Sequence, residues 1–342
     1  MKAVQLAAYG TTPSLVDVAE PKVEGPSDVI VRIGGAGVCR TDLHIIEGQW
    51  APKTGVRLPY TIGHENAGWV EAVGDAVTTV AVGDPVILHP LVTCGLCRAC
   101  RAGDDVHCER QAFPGIDTDG GYAELLHTTV RSVVPLDPGL EPAAVAPLAD
   151  AGLTAYHAAA KAARLLHPGD VAVLIGAGGL GHIGIQALRA LSAAQVVVVD
   201  RSAEALALAA QLGAHHTVLA DGHQREAVAD LTGGRGAHAV LDFVGEGGAI
   251  EDGIAMLRRA GSYFVIGYGG RLAIPTIDII STEINFVGNL VGSYNDLTDL
   301  MVLAREGRVH LETTTYPLRE FARALDDLDH GRVRGRAVLV PD

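Results

Sequence analysis

The chain has 342 residues, of which 48% are apolar and 19% charged, and its formal net charge is −14. That length predicts two domains with sizeable cores, and the low charge leaves room for a subunit interface. The acidic balance argues against a nucleic-acid or anionic-membrane partner, because phosphate binding needs clustered Lys and Arg. No segment is apolar for long enough to span a bilayer. The N-terminal run from Met1 enters a strand at once, without the apolar core and cleavage site of a signal peptide, so a cytoplasmic protein is expected.

Residues 1–90 read as short strands broken by Gly and Pro, among them 29–33, 67–74 and 83–88. Such spacing predicts a small, partly open β-barrel. Its loops carry candidate chemistry. Residues 37–44, Gly-Val-Cys-Arg-Thr-Asp-Leu-His, place a thiol, a cation, a hydroxyl, a carboxylate and an imidazole between Cys39 and His44. His64 and Glu65 add two further metal-ligand types, and Asp150 a carboxylate. A buried Cys is by itself usually a small hydrophobe, so this grouping gains weight only from the rest of the chain.

The other four cysteines, Cys94, Cys97, Cys100 and Cys108, crowd into 15 positions. In a reducing compartment clustered thiols indicate metal rather than disulfides. Zinc takes four thiolates in a tetrahedron, and four with no open position describe a closed structural site. An iron–sulfur cluster also takes four thiolates, and paired thiols can be redox-active. His107 reads as a bystander.

Near residue 150 the character changes. Residues 141–166 are Ala-rich and predict a helix, closed by a turn at 167–170. The run 171–175, Val-Ala-Val-Leu-Ile, is continuously apolar, as in a strand buried on both faces. It leads into Gly176-Ala177-Gly178-Gly179-Leu180-Gly181, then a helical pattern over 182–194, then an apolar strand ending at Asp200. A lone Gly-rich loop is weak evidence, but here it joins a strand to a helix, with an acidic residue 19 positions after its last Gly. That is the dinucleotide-binding context. Gly176 permits the tight turn, Gly178 lets the backbone approach a pyrophosphate, and Gly181 lets helix pack on strand. Asp200 would accept from ribose hydroxyls and repel a 2′-phosphate, favouring NAD, whereas Arg201 beside it could pair with the phosphate of NADP.

Helical patterns at 202–212 and 248–258 alternate with strands at 239–243, 262–266 and 284–290, giving about six parallel strands in a doubly wound α/β unit. His182 begins a helix, and His215 and His216 fall in a surface turn. Residues 296–330 predict two amphipathic helices. A last strand at 336–340 lies outside the dinucleotide unit, and its return to the first domain is expected.

These motifs resemble, in order and over nearly the whole chain, the zinc-containing medium-chain alcohol dehydrogenases. The matching pieces are 37–44, Gly63-His64-Glu65, the four-cysteine lobe, Gly176–Gly181 and Gly335-Arg336-Ala337-Val338-Leu339. The resemblance implies a GroES-like β-barrel catalytic domain (1–151 and 292–342, with a structural zinc lobe at about 92–110) and a Rossmann domain (152–291), with the active site in the cleft between them. It implies two zinc ions and NAD. Cys39 and His64 would hold the catalytic zinc. Many relatives supply a Cys where this chain has Asp150, so the chain looks like the bacterial secondary-alcohol branch, in which Asp is the third ligand. A carboxylate is a harder ligand, so looser metal binding or acceptance of cobalt is expected. Glu65 is an alternate ligand.

The implied activity is reversible hydride transfer between NAD and secondary alcohols or ketones of medium or aryl type, with zinc acidifying the alcohol. Thr41 would take the proton first, the cofactor ribose would pass it towards His44, and His44, an imidazole suited to such transfers, would meet solvent. Asp42 would orient His64. Arg40 and Arg336 would meet the pyrophosphate. Thr154, Gly179, Leu180, Val244, Gly267 and Leu290 would line the cofactor, and Trp50, His89 and Val291 the substrate pocket. A primary-alcohol or polyol dehydrogenase is the enzymatic alternative. A non-catalytic NAD-binding regulator is a distant one, since such a protein would be free to lose Cys39, Thr41, His44 or His64. A homo-oligomer is expected, a tetramer or a dimer.

Overall fold

β-Branched runs punctuated by Gly and Pro make the first unit largely of strands. The computed structural model describes residues 1–342. Its first unit comprises Met1–Ala151, Ser293–Arg305 and Leu311–Asp342. It opens with β1 (Lys2–Leu6), β2 (Ser14–Asp17), β3 (Asp28–Val38), β4 (Tyr60–Thr61), β5 (Glu65–Val73), β6 (Pro85–Leu88), β7 (Leu125–Thr129) and β8 (Val133–Pro135).

The second unit, Gly152–Gly292 with Glu306–His310, carries β9 (Val171–Ile175), β10 (Gln195–Asp200), β11 (His216–Leu219), β12 (Ala237–Asp242), β13 (Leu257–Val265) and β14 (Asn285–Gly288). The chain then adds β15 (Thr313–Pro317) and β16 (Arg336–Val340), which complete the first unit's large sheet in the order β15-β16-β3-β5-β6-β8, with β7 also on β3. Val29, Val31, Ile33, Val70, Val86 and Leu339 are buried in its core, each contributing about 1.5–3 kcal/mol by leaving water.

The second unit's strands are all parallel, in the order β11-β10-β9-β12-β13-β14. This is the 3-2-1-4-5-6 order of dinucleotide-binding sheets, whose ligands bind where the order reverses, here between β9 and β12. All five residues of β9 are buried, which explains its unbroken apolar run. Residues 306–310 join this unit, and Gln186 bonds His310 in both directions.

Three local readings need correction. The helix expected over 141–166 is broken into Pro142–Val145, a 3-10 turn Ala146–Ala149 and a helix Ala151–Ala163. Pro147 cannot donate to the preceding turn and clashes with it, and Asp150 leaves helical geometry at φ −129°, ψ −59°. His216 does not sit in a turn but opens the edge strand β11, while the His215 ring accepts from the Val196 amide at 2.8 Å. The segment 296–330 holds helices Tyr294–Arg305 and Phe321–Asp329, with β15 between them; three threonines gave that strand no apolar alternation to detect.

Candidate metal centres and cofactor loop

β3 ends at Val38, and Cys39 caps the short helix Arg40–Ile46 that follows. The Asp42 carboxylate reaches back to accept the Cys39 amide at 2.8 Å. Asp42 is fully buried and has two further partners. The Tyr122 hydroxyl donates to it at 2.7 Å, and His64 Nδ1 lies 3.2 Å from its other oxygen. The second His64 nitrogen, Nε2, lies 3.4 Å from Asp150. Asp42 thus holds the ring on one side while the other side faces Asp150, the arrangement in which a second carboxylate fixes a metal-binding imidazole. Nothing in the sequence pointed to Tyr122, which reaches Asp42 from 80 positions away.

One ligand atom each from Cys39, His64, Glu65 and Asp150 lies within 4.8 Å of all the others. A thiol, an imidazole and a carboxylate in a buried cluster form a zinc-type donor set. Burial lowers the His64 pKa, but Asp42 and contacts with Asp150 and Cys39 raise it well above the usual imidazole range. A dication beside Nε2 can replace that proton among the same anions. Glu65 is already engaged, accepting from the Ala151 amide at 3.1 Å and pairing with buried Arg336. Burial pushes its carboxyl up, against the pull of Arg336. Cys39, His64 and Asp150 complete the cluster beside it, and a site with three protein ligands is the kind that keeps an open position in catalytic zinc proteins.

Thr41 and His44 lie three residues apart on the Arg40–Ile46 helix, spacing that shares a face, and both are half-buried, whereas Arg40 is exposed. Trp50 packs half-buried against the first unit's core. His89 is buried, its Nδ1 3.1 Å from the Leu91 carbonyl.

The four remaining sulfurs also lie within 4.8 Å of one another. Cys97 and Cys100 Sγ are 3.5 Å apart, and Cys94 and Cys100 4.0 Å. Tetrahedral zinc with bonds of about 2.3 Å sets its sulfurs about 3.8 Å apart, so the cluster fits that ion. Amides of Leu96 and Cys97 donate to Cys94 and lower its thiol pKa to about 6. Burial and the neighbouring sulfurs push Cys100 up to about 12.

In the second unit the Gly-rich loop leaves β9 at Gly176, whose φ of +90° suits glycine. A Cβ on Gly181 would lie 1.8 Å from the Gly176 carbonyl oxygen, whereas one on Gly178 would meet nothing within 4 Å. The first glycine pair closes the turn, and the middle one leaves space for an anion at the start of the helix Gly181–Leu191. Asp200 ends β10, half-buried, and accepts from the Ala177 amide at 2.7 Å and the Ser202 amide at 2.8 Å. It therefore steadies the Gly-rich loop. Asp200→Ala is expected to weaken NAD binding about tenfold and to narrow its advantage over NADP. An unchanged ratio of the two dissociation constants would show that Asp200 does not read the ribose.

Arg201 and Leu290 are exposed, as is Val244; Thr154, Gly179, Leu180 and Gly267 are half-buried. Val291 is buried at φ +47°, a costly conformation for a β-branched residue.

Known proteins agree with this chemistry. The model of the alcohol dehydrogenase GroES-like domain matches residues 25–138, and that of the zinc-binding dehydrogenases matches 179–306. The chain is 35% identical to an NAD-dependent alcohol dehydrogenase of Sulfurisphaera tokodaii over 100% of both chains. It is 35% identical to a D-arabinose 1-dehydrogenase (NADP(+)) of Saccharolobus solfataricus, over 99% of this chain and 97% of that one. The crystal structure of the Aeropyrum pernix alcohol dehydrogenase has a TM-score of 0.97 and 47% identity, covering 100% of both chains. Likeness on this scale, carried by whole chains, together with the two clusters of zinc-type donors, places the protein in the zinc-containing medium-chain alcohol dehydrogenase family, as an NAD-dependent enzyme.

Proposed function

We propose that the enzyme interconverts medium-sized or aryl secondary alcohols and their ketones, with Cys39, His64 and Asp150 holding the catalytic zinc. The observation that carries this reading is the meeting of those three donors in one largely buried cluster; the secondary-alcohol preference rests on the resemblance, in which Asp150 takes the place of a thiolate. Zinc held there supplies Lewis acidity that lets an alcohol ionise near neutral pH. Asp42, fixed by Tyr122 and the Cys39 amide, keeps the His64 ring aimed at Asp150. The Thr41 hydroxyl takes the alcohol proton as its own passes on towards His44, half-buried on the same short helix, which releases it. In the second unit, Gly176 to Gly181 seat the cofactor pyrophosphate and Asp200 its ribose.

A polyol or sugar substrate is the second reading, favoured by the likeness to the D-arabinose dehydrogenase. Matched primary, secondary and polyol substrates, assayed by NADH formation on one zinc-loaded sample, separate the two. Secondary alcohols are expected to turn over at least about tenfold faster by kcat/KM, a difference worth about 1.4 kcal/mol. Turnover confined to primary alcohols or polyols would end the secondary-alcohol reading. No turnover of any alcohol by fully metallated protein would point to a non-catalytic NAD-binding role.

A further inference from the structure

Asp242 is a buried carboxylate that the chemistry above does not use. It ends β12, the strand paired with β9 at the reversal of strand order, and its register partner is Ile175. The turn after β12 therefore emerges beside the Gly-rich loop. Asp242 is 1% exposed, and its side-chain partners are neutral. One oxygen accepts the Val244 amide at 2.8 Å and the Gly245 amide at 2.9 Å. The other accepts the hydroxyl of Tyr263, itself buried on β13. Burying a carboxylate without a cation is costly unless every lone pair finds a donor. Here the donors come from one turn and one neighbouring strand, so the carboxylate clamps that turn to the sheet.

The clamped turn is a wedge. The Phe243 amide bonds the Ile175 carbonyl at 3.0 Å, at the root of the Gly-rich loop. A Cβ on Gly176 would come within 2.7 Å of Val244 Cγ2, and one on Gly184 within 2.6 Å of the Phe243 ring. On the other side, a Cβ on Gly267 would lie 2.4 Å from the Val244 carbonyl carbon. The turn thus fills the space between the Gly-rich loop, its helix and the strand end at Gly267, and leaves Val244 exposed at the crevice.

We propose that Asp242, braced by Tyr263, is a positioning residue for the cofactor: it fixes the Phe243–Gly245 turn against which the Gly-rich loop is set. The inference rests on the reading that this loop seats NAD.

NADH binding to the full-length, zinc-loaded protein, followed by the fluorescence of bound NADH, tests it. Asp242→Ala is expected to raise the dissociation constant at least about tenfold, through loss of two amide bonds to a charged acceptor. Its KM for NAD should rise while kcat stays within about threefold, a split that a mere loss of folded protein would not produce. Asp242→Asn keeps an oxygen for both amides and is expected to bind within about threefold of wild type. Tyr263→Phe frees one carboxylate oxygen, and amide exchange at Val244 and Gly245 should quicken about tenfold. If Asp242→Ala does not fold, these last two variants decide the matter. Wild-type affinity in Asp242→Ala, an Asn variant that binds about tenfold more weakly than wild type, or unchanged exchange in Tyr263→Phe would overturn the proposal. Failure of the wild type itself to bind NADH would overturn the loop assignment beneath it.

Discussion

Replacing Asp150 with alanine is expected to strip the Cys39–His64 cluster of its zinc and to lower kcat/KM by about a thousandfold or more, since Lewis acidity contributes several kcal/mol to such reactions. The lobe metal should remain, so total zinc falls to about one ion per chain. The reason is local. Asp150 stands 3.4 Å from His64 Nε2, whereas Glu65, the one substitute nearby, is held by Arg336 and the Ala151 amide. Pulling Glu65 towards a metal would leave Arg336 as a buried unpaired cation, which costs several kcal/mol. Asp150→Cys supplies a thiolate at the same place and is expected to retain both metals. Metal analysis of the purified variants decides: wild-type zinc in Asp150→Ala would remove Asp150 from the ligand set.

Cys100→Ser is expected to act on stability rather than on chemistry. It should release the lobe metal and destabilise the fold by at least about 4 kcal/mol, the scale reached when a structural metal is lost. Without a cation, the four sulfurs cannot all carry charge so close together, and Cys100 is the one most strongly held as a thiol. Metal binding forces its ionisation and so releases protons. Thermal unfolding followed by circular dichroism, with zinc content measured on the same sample, gives the test. A variant that melts like wild type and keeps both metals would contradict a structural role for the lobe.

Features governed by local sequence were the most legible. The limits of β9 and β16 are legible directly: β9 is an unbroken apolar run buried on both faces, and β16 is an apolar run that opens on Arg336 and stops before Pro341. The glycine spacing at 176–181 was equally clear, since sterics at Gly176 and Gly181 tolerate nothing larger. The four-cysteine cluster is legible from residue type and spacing, whereas the grouping of Cys39, His64, Glu65 and Asp150, spread over 112 positions, is legible only through the family resemblance. What escaped depended on distant partners. Tyr122 meets Asp42 only through the fold, and the Asp242–Tyr263 clamp joins neighbouring strands with nothing in either segment to announce it. The broken helix before Asp150 was hidden by its alanines, although Pro147 was there to be weighed.

The placement of β16 has a consequence for how the polypeptide matures during synthesis. β16 enters the large sheet between β15 and β3, and it brings Arg336 to Glu65 from 271 positions away. The second unit's six strands leave the ribosome before that partner exists, so its sheet can close while the first is still open along β3. Until Arg336 arrives, the Ala36–Val38 end of β3 lacks its strand partner and is open to unwanted pairing, and Glu65 lacks its countercharge. Late closure of this kind slows folding, because pairing so distant in sequence must overcome a large loop entropy. The metal-binding half of the enzyme is begun first and finished last.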